Sequence, residues 1–179
     1  VLADIIWPAL FVLTISLFGV VKLWPDGGFS KTFSQHVADR RSSVLYYILV
    51  FTVFLPMLAI FFYGWFIPYY QLPFIYSLTL AISLVAQYLC TFFPESGRRV
   101  LVHQGLALIS AAALLVSQLI LVFVGLSEID RLAVIVPSLI MVVLLTILVT
   151  TKARHPKILL VQVGYFAAYF VSILAVIYI

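Results

Sequence analysis

The chain has 179 residues, of which 65% are hydrophobic and only 9% are charged, and its formal net charge is +4. Soluble domains average about 45–50% apolar and about 25% charged residues, so a water-soluble fold of this length could not bury so much apolar surface. The few cations form no basic face with interleaved aromatic residues, which argues against nucleic acid as a partner.

Six apolar stretches are long enough to cross a bilayer. A helix needs about 20 apolar residues to span the roughly 30 Å hydrocarbon core. The stretches are continuous, whereas the strands of a membrane barrel would be about 10 residues long and alternate in polarity. The sequence therefore predicts an all-α fold, a polytopic transmembrane bundle of about six helices that forms one domain over residues 1–179. The predicted spans are 5–24, 44–67, 70–93, 100–126, 132–151 and 158–179.

Turn-forming residues separate these spans. Pro25 and Gly27 follow the first span, and Pro68 and Pro73 frame an uncharged second connection. No connection is long enough to form a separate soluble domain. The first stretch has no charged n-region and no small-residue cleavage site, so we expect it to be a retained span and not a signal peptide.

The first connection contains a short amphipathic pattern. Phe29, Phe33 and Val37 recur every four residues, while Arg40 and Arg41 lie elsewhere on the helical wheel. This pattern is typical of a helix that lies in the headgroup plane, where each basic residue favours an anionic leaflet by about 1 kcal/mol. An ordinary connector with the basic residues of a cytoplasmic loop explains it equally well, and both alternatives stay open.

The distribution of Lys and Arg predicts the orientation. Loops one, three and five and their flanks carry nine of the ten cations, whereas the opposite side carries only Arg131. The nine are Lys22, Lys31, Arg40, Arg41, Arg98, Arg99, Lys152, Arg154 and Lys157. Cytoplasmic loops carry the Lys/Arg excess. We therefore expect loops one, three and five in the cytoplasm and both termini outside, in a plasma or inner membrane.

The interior of the spans is uncharged. No Asp, Glu, Lys or Arg lies in the middle of a predicted span. Because ionisable residues inside a membrane usually mark ion or proton pathways, this argues against pumps, voltage sensors and ion-coupled transporters. The polar residues there include Gln87, Gln118 and Gln162. Such residues mostly form interhelical hydrogen bonds worth about 0.6–2 kcal/mol, and contact with a lipid or polar substrate is the alternative.

All three histidines fall on the predicted cytoplasmic side: His36 in loop one, His103 near the start of the fourth span and His155 in loop five. The carboxylates on that side are Asp26, Asp39 and Glu95. Histidine ligands with a carboxylate base are the parts of a metal-dependent lipid hydrolase. The catalytic candidates are His36, Asp39 and His103, and the metal-ligand candidates are His36, His103 and His155. No HxxxH or HExxH pair occurs, so the sequence predicts neither a metal site nor a cofactor.

Two short segments resemble a known group of proteins. Residues 29–36 read Phe-Ser-Lys-Thr-Phe-Ser-Gln-His, and residues 93–103 begin with Phe-Pro-Glu-Ser-Gly and end with a histidine. The chain thereby resembles the Frag/DRAM/Sfk-like six-helix membrane proteins, in particular their prokaryotic branch of unknown function. The resemblance implies a role in lipid remodelling, lipid distribution or the modulation of other membrane proteins. The positions that match its patterns are Ser30, Ser34, Pro94 and His103.

The predicted orientation departs from that group. Its eukaryotic members are generally drawn with cytoplasmic termini, whereas the charge distribution of this chain predicts both termini outside.

The candidates for lipid or ligand contact in this chain are Ser30, Ser34, Arg40, Arg41, Gln87, Arg98, Arg99 and Gln118.

The sequence thus favours a non-enzymatic integral membrane protein that acts through contact with membrane lipids or with other membrane protein subunits. An accessory subunit of a membrane complex is one form of this function. A lipid-modifying hydrolase or transferase at the cytoplasmic interface is the alternative, and a small-solute transporter or channel is the second alternative.

Overall fold

The structure is a computed structural model that describes residues 2–25, 27–38, 40–93, 95–124, 128–151 and 155–178. Within these ranges the regular secondary structure is helical, without a strand. The long helices are α1 (Ile6–Leu23), α3 (Arg41–Phe61), α4 (Phe74–Thr91), α5 (Val100–Phe123), α6 (Glu128–Thr150) and α7 (Ile158–Tyr178), and the short helix α2 (Phe33–Val37) lies between α1 and α3.

Six helical segments are long and apolar enough to cross a membrane. The predicted all-α fold with six spans is therefore confirmed, and the chain is a multi-pass integral membrane protein. The second span is longer than predicted, because α3 continues through a π-helical turn at Phe62–Phe66 and ends at Tyr69. The full segment Arg41–Tyr69 has 29 residues.

The outward faces of the helices are apolar. Phe11 and Phe18 on α1, Phe123 on α5 and Leu139 on α6 are all exposed, and the exposed fraction of Phe123 reaches 87%. A helix that is apolar on all sides must be covered either by protein or by lipid. These side chains therefore contact the acyl chains of the bilayer.

The bundle packs as two helical hairpins with α1 and α3 alongside. The most extensive contacts join α4 to α5 and α6 to α7, followed by α5 to α6 and α1 to α3. Aromatic side chains from the end of α3 fill the core, where the Phe62 ring lies 5.5 Å from that of Phe66 and 6.2 Å from that of Tyr169. The π-helical turn helps to bring Phe61, Phe62 and Phe66 into the interior together.

The two ends of the bundle can be told apart by their contacts. At one end the Thr32 and Ser34 hydroxyls of loop one contact Glu95 of loop three, and the backbone of Phe33 contacts Gln162 near the start of α7. We call this the basic end, because loops one, three and five carry most of the cations. At the other end, which we call the termini end, Trp7 Nε1 donates to Tyr178 Oη at 2.8 Å.

Loop one folds onto the bundle as a short helix. Thr32 and Gln35 form a capping box at its start, in which each side chain accepts a hydrogen bond from the other residue's backbone N–H. Phe33 and Val37 are buried against the bundle, whereas Phe29 precedes the helix and is 57% exposed. The apolar face of α2 therefore packs on protein and not on lipid headgroups. We call residues 28–37 the loop-one plug.

The buried aromatic core gives a direct test of the packing. Phe62→Ala removes a fully buried ring, so we expect it to lower the free energy of unfolding by about 3–5 kcal/mol. Phe123→Ala is the matched control, because the Phe123 ring faces outward, and it should cost far less. Denaturant unfolding in detergent micelles measures both. Equal losses for the two variants would contradict this assignment of inside and outside.

Candidate functional site

A buried carboxylate joins loop one to loop three at the basic end. Glu95 lies between α4 and α5, and its side chain is only 6% exposed. Its Oε2 atom accepts hydrogen bonds from Ser34 Oγ at 2.7 Å and from Thr32 Oγ1 at 3.2 Å. Its Oε1 atom accepts from the side-chain amides of Gln35 at 3.1 Å and Gln104 at 3.2 Å. Four uncharged donors thus replace the water that a buried carboxylate loses.

His103, in the first turn of α5, lies beside this carboxylate. Its Nε2 atom is 3.8 Å from Glu95 Oε2, and its Nδ1 atom is 2.6 Å from the carbonyl oxygen of Phe93. A carbonyl oxygen only accepts hydrogen bonds, so Nδ1 carries the proton and Nε2 faces the carboxylate. The ring is therefore fixed between a backbone carbonyl and a carboxylate.

The only cysteine of the chain packs against the same imidazole. Cys90 Sγ is 3.3 Å from Nδ1 and 3.6 Å from Nε2 of His103. A sulfur aligned with one nitrogen for proton transfer would lie much farther from the other nitrogen. The thiol therefore contacts the ring without the alignment of a nucleophile and its base.

The other two histidines have different contacts. Both ring nitrogens of His36 face backbone carbonyls, with Nδ1 2.7 Å from Trp24 O and Nε2 3.0 Å from Gly28 O. His155 Nδ1 accepts a hydrogen bond from the Lys157 backbone at 3.1 Å. The part of the chain that the structure describes contains no group of three or more His, Cys, Asp or Glu residues that could hold a metal ion.

We call Glu95 and its four hydrogen-bond donors the Glu95 cluster. Of the three catalytic candidates, His103 lies beside this cluster, while His36 faces two carbonyls of the turn after α1. Asp39 lies outside the described residues, as do Pro94 and the side chain of Arg98. The proposed set of His36, Asp39 and His103 is therefore not seen as a unit.

The candidates for lipid contact also lie in different parts of the structure. Ser34 belongs to the Glu95 cluster, whereas Ser30 Oγ donates to Gly27 O at 2.7 Å within an exposed turn. Gln118 is fully buried, and its amide donates to Ser172 Oγ between α5 and α7. Among the arginine candidates, Arg40, Arg41 and Arg99 have exposed side chains at the basic end.

An apolar cavity of about 50 Å³ lies between α1, α3, α4, α5 and α7. Along α3 its lining extends from Tyr47 to Phe62, a length of about 22 Å at the rise of an α-helix. The cavity is thus narrow for its length. Most of its lining side chains are aromatic or aliphatic, such as Phe51, Phe54, Leu58, Leu84, Leu114 and Phe170.

The few polar groups in this lining are largely paired. Ser83 and Ser110 each donate to the other's backbone carbonyl, at 2.9 and 3.0 Å. Gln162 accepts a hydrogen bond from the Phe33 backbone at 3.0 Å. Gln87, a predicted candidate for ligand contact, also lines the cavity.

The loop-one plug closes the basic end of this cavity. Phe33 lines the cavity, and the next residue, Ser34, donates to Glu95. Tyr47 lines the main cavity and also a smaller one of about 10 Å³, which Ser34 and Cys90 border as well. The Glu95 cluster therefore holds the plug in place at the end of the cavity.

Glu95 is the residue that sequence reasoning missed. The sequence places it on the same side as the histidines but gives no reason to prefer it over Asp26 or Asp39. The sequence feature that could have identified Glu95 is its position inside the second motif, residues 93–103, in a short connection between two spans.

Comparison with known proteins gives no relative, because no protein family model, no curated protein and no solved structure matches the chain. The resemblance to the Frag/DRAM/Sfk-like proteins therefore stays a prediction from its two motifs. In the structure these motifs, residues 29–36 and 93–103, contact each other through Glu95.

The sole cysteine can report whether Glu95 holds the plug. Cys90 is 3% exposed beneath α2, so a thiol reagent should modify it slowly in the native protein. Glu95→Ala removes the acceptor of four hydrogen bonds and should raise the alkylation rate by at least about tenfold, which corresponds to roughly 1.4 kcal/mol of easier local opening.

The matched control for this prediction is Gln104→Ala, which removes a single exposed donor. We expect it to change the alkylation rate by less than about threefold. Labelling with a small maleimide, followed by mass spectrometry at several times, measures the rates. An unchanged rate in Glu95→Ala would show that the plug does not depend on this carboxylate.

Proposed function

We propose that this protein is a non-enzymatic membrane protein that binds the alkyl chain of a membrane lipid in the cavity between its helices. The observation that carries this proposal is the narrow apolar cavity, which lies among the spans and is closed at the basic end by the loop-one plug. The resemblance to proteins associated with lipid remodelling and lipid distribution supports it.

The lining of the cavity favours an alkyl chain over a polar solute. Among the described residues no Asp, Glu, Lys, Arg or His borders it, and the Ser83–Ser110 pair is already hydrogen-bonded. An ion or a hydrophilic solute would lose its hydration there without a replacement. A methylene chain has no comparable hydration to lose. Its entry requires the lining side chains to move apart, because the cavity of about 50 Å³ is about a third of the roughly 150 Å³ that holds one benzene molecule. A transporter or channel for polar solutes fits this lining poorly.

The contacts of the polar residues favour binding over catalysis. Both ring nitrogens of His36 face backbone carbonyls, and the Cys90 thiol is not aligned with His103. Ser34, the hydroxyl closest to a base, donates to Glu95 beneath a packed segment. A lipid-modifying enzyme needs a nucleophile or activated water that a substrate can reach. We therefore place this alternative second.

We further propose that the basic end faces the cytoplasm. The exposed Arg40, Arg41 and Arg99 side chains at this end support this orientation, because an anionic cytoplasmic leaflet attracts basic residues. In this arrangement the plug lies on the cytoplasmic side and both termini lie outside.

A single tryptophan substitution tests whether the cavity binds lipid. Leu58 lines it from α3, so Leu58→Trp should fill the space and lower the amount of co-purified lipid by about tenfold, a loss typical of overpacking. Leu139→Trp, on the outward face of α6, is the matched control and should retain wild-type lipid content. Native mass spectrometry of protein released from mild detergent measures bound lipid. Equal lipid content in both variants would refute binding inside the bundle.

Single cysteines test the orientation. In a Cys90→Ser background, Ser96→Cys in loop three and Ser127→Cys after α5 should react with a membrane-impermeant maleimide from opposite sides. We expect Ser127→Cys to react in intact cells and Ser96→Cys only after permeabilisation. The reverse pattern would invert the proposed orientation, and labelling of both from one side would contradict the alternation of the spans.

A further inference from the structure

Two tyrosine hydroxyls near the cavity lack hydrogen-bond partners. Tyr76 on α4 is fully buried and Tyr169 on α7 is 1% exposed. Neither hydroxyl oxygen has a partner within hydrogen-bond geometry in the part of the chain that the structure describes. The two hydroxyls nevertheless lie close to each other between the helices. Ser117, whose hydroxyl donates to the backbone carbonyl of Leu114, lies beside Tyr169 as well. The two tyrosines and this serine form a small buried group of polar side chains.

Buried hydroxyls without partners are uncommon. Polar side-chain atoms inside proteins are almost always bonded to protein groups, to water or to a ligand. Tyr165, one turn earlier on α7, follows this rule, because its hydroxyl donates to the backbone carbonyl of Ala111. Phenylalanine at positions 76 and 169 would fill the same volume without a polar atom. The two hydroxyls lie near each other but not in hydrogen-bond geometry, so a ligand oxygen that binds to both of them explains why these positions carry tyrosine.

The position of Tyr169 connects this pair to the cavity. Tyr169 lines the cavity itself, and it lies about 16 Å along α7 from Ile158. Gln162, near the basic end of the same cavity, lies about 10 Å closer to that end. The tyrosine pair thus marks the half of the cavity nearer the termini end, away from the plug.

We propose that the cavity ligand carries an uncharged oxygen group, a hydroxyl or a carbonyl, which binds to the hydroxyls of Tyr76 and Tyr169. This inference rests on the proposed function, the binding of an alkyl chain, and specifies the chemical class of that ligand. A tyrosine hydroxyl donates to either kind of oxygen. The ligand is a neutral, single-chain amphiphile such as a long-chain alcohol, ketone or ester.

The absence of charge near the pair excludes a charged headgroup. The described cavity lining contains no cation that could neutralise a carboxylate or phosphate, and no carboxylate that could neutralise an amine. A charged group placed beside two phenols in an apolar interior would lose far more hydration energy than two hydrogen bonds return. A neutral oxygen needs only a hydrogen-bond donor, which a tyrosine hydroxyl supplies.

Matched twelve-carbon probes test this inference. Dodecane, 1-dodecanol and 2-dodecanone, each in a photoreactive mid-chain diazirine form, are titrated onto the full chain in lipid nanodiscs, and cross-linking is quantified by mass spectrometry. We expect the alcohol or the ketone to half-saturate at a concentration about three- to tenfold lower than the alkane, which is the contribution of one or two hydrogen bonds.

Phenylalanine variants assign the preference to the tyrosine pair. Tyr169→Phe and Tyr76→Phe should each reduce the preference for the oxygen-bearing probes and leave dodecane binding unchanged. The double variant should abolish that preference. Tyr165→Phe is the matched control, because its hydroxyl already donates to Ala111, and it should keep the wild-type preference. Size-exclusion profiles and melting temperatures check that all variants remain folded.

The outcomes separate this inference from the proposed function. If all three probes bind equally and the Phe variants change nothing, the tyrosine pair holds water only, and the inference is wrong while alkyl-chain binding stands. If no probe cross-links inside the bundle, alkyl-chain binding itself fails. A preference that Tyr165→Phe removes as strongly as Tyr169→Phe would also overturn the inference.

Discussion

The burial of one carboxylate organises the basic end of this protein. A charge that leaves water must find donors, and Glu95 finds them in two separate parts of the chain, the hydroxyls and amide of loop one and the side chain of Gln104 on α5. α2 has only five residues, far below the length at which a helix is stable alone. Its position therefore depends on these bonds and on the burial of Phe33 and Val37.

This arrangement has a consequence for the space between the helices. Phe33 closes the cavity, and its backbone is bonded to Gln162 on α7. With the plug in place, Phe33 lies between the polar groups of the basic end and the apolar interior. One of the bonds that hold the plug is made to Glu95 by Ser34, and the other is made to Gln162, which itself belongs to the cavity lining. The cavity and the carboxylate are thus linked through two neighbouring residues, Phe33 and Ser34.

The sequence predicts the six spans well because length and apolarity alone determine whether a segment can cross a bilayer. It predicts the site poorly, because the contact between Thr32 and Glu95 joins residues 63 positions apart and depends on how the helices pack. Periodicity showed that Phe33 and Val37 share a helical face, but it does not say whether lipid or protein covers that face. His36 illustrates the same limit, because the sequence does not distinguish a histidine packed between two backbone carbonyls from a histidine that binds a metal.

The π-helical turn at Phe62–Phe66 gives the second span a tolerance in its length. Such a turn contains one more residue than a regular helix needs for the same rotation. Loss of a single residue there would restore regular winding and leave the two flanking parts of the span facing as they do now. Loss of a residue from the regular winding on either side would instead rotate one part of the span against the other by about 100°, and rings now in the interior would turn toward the acyl chains. In the descent of this chain, a deletion of one codon is therefore easier to accommodate within the turn than beside it.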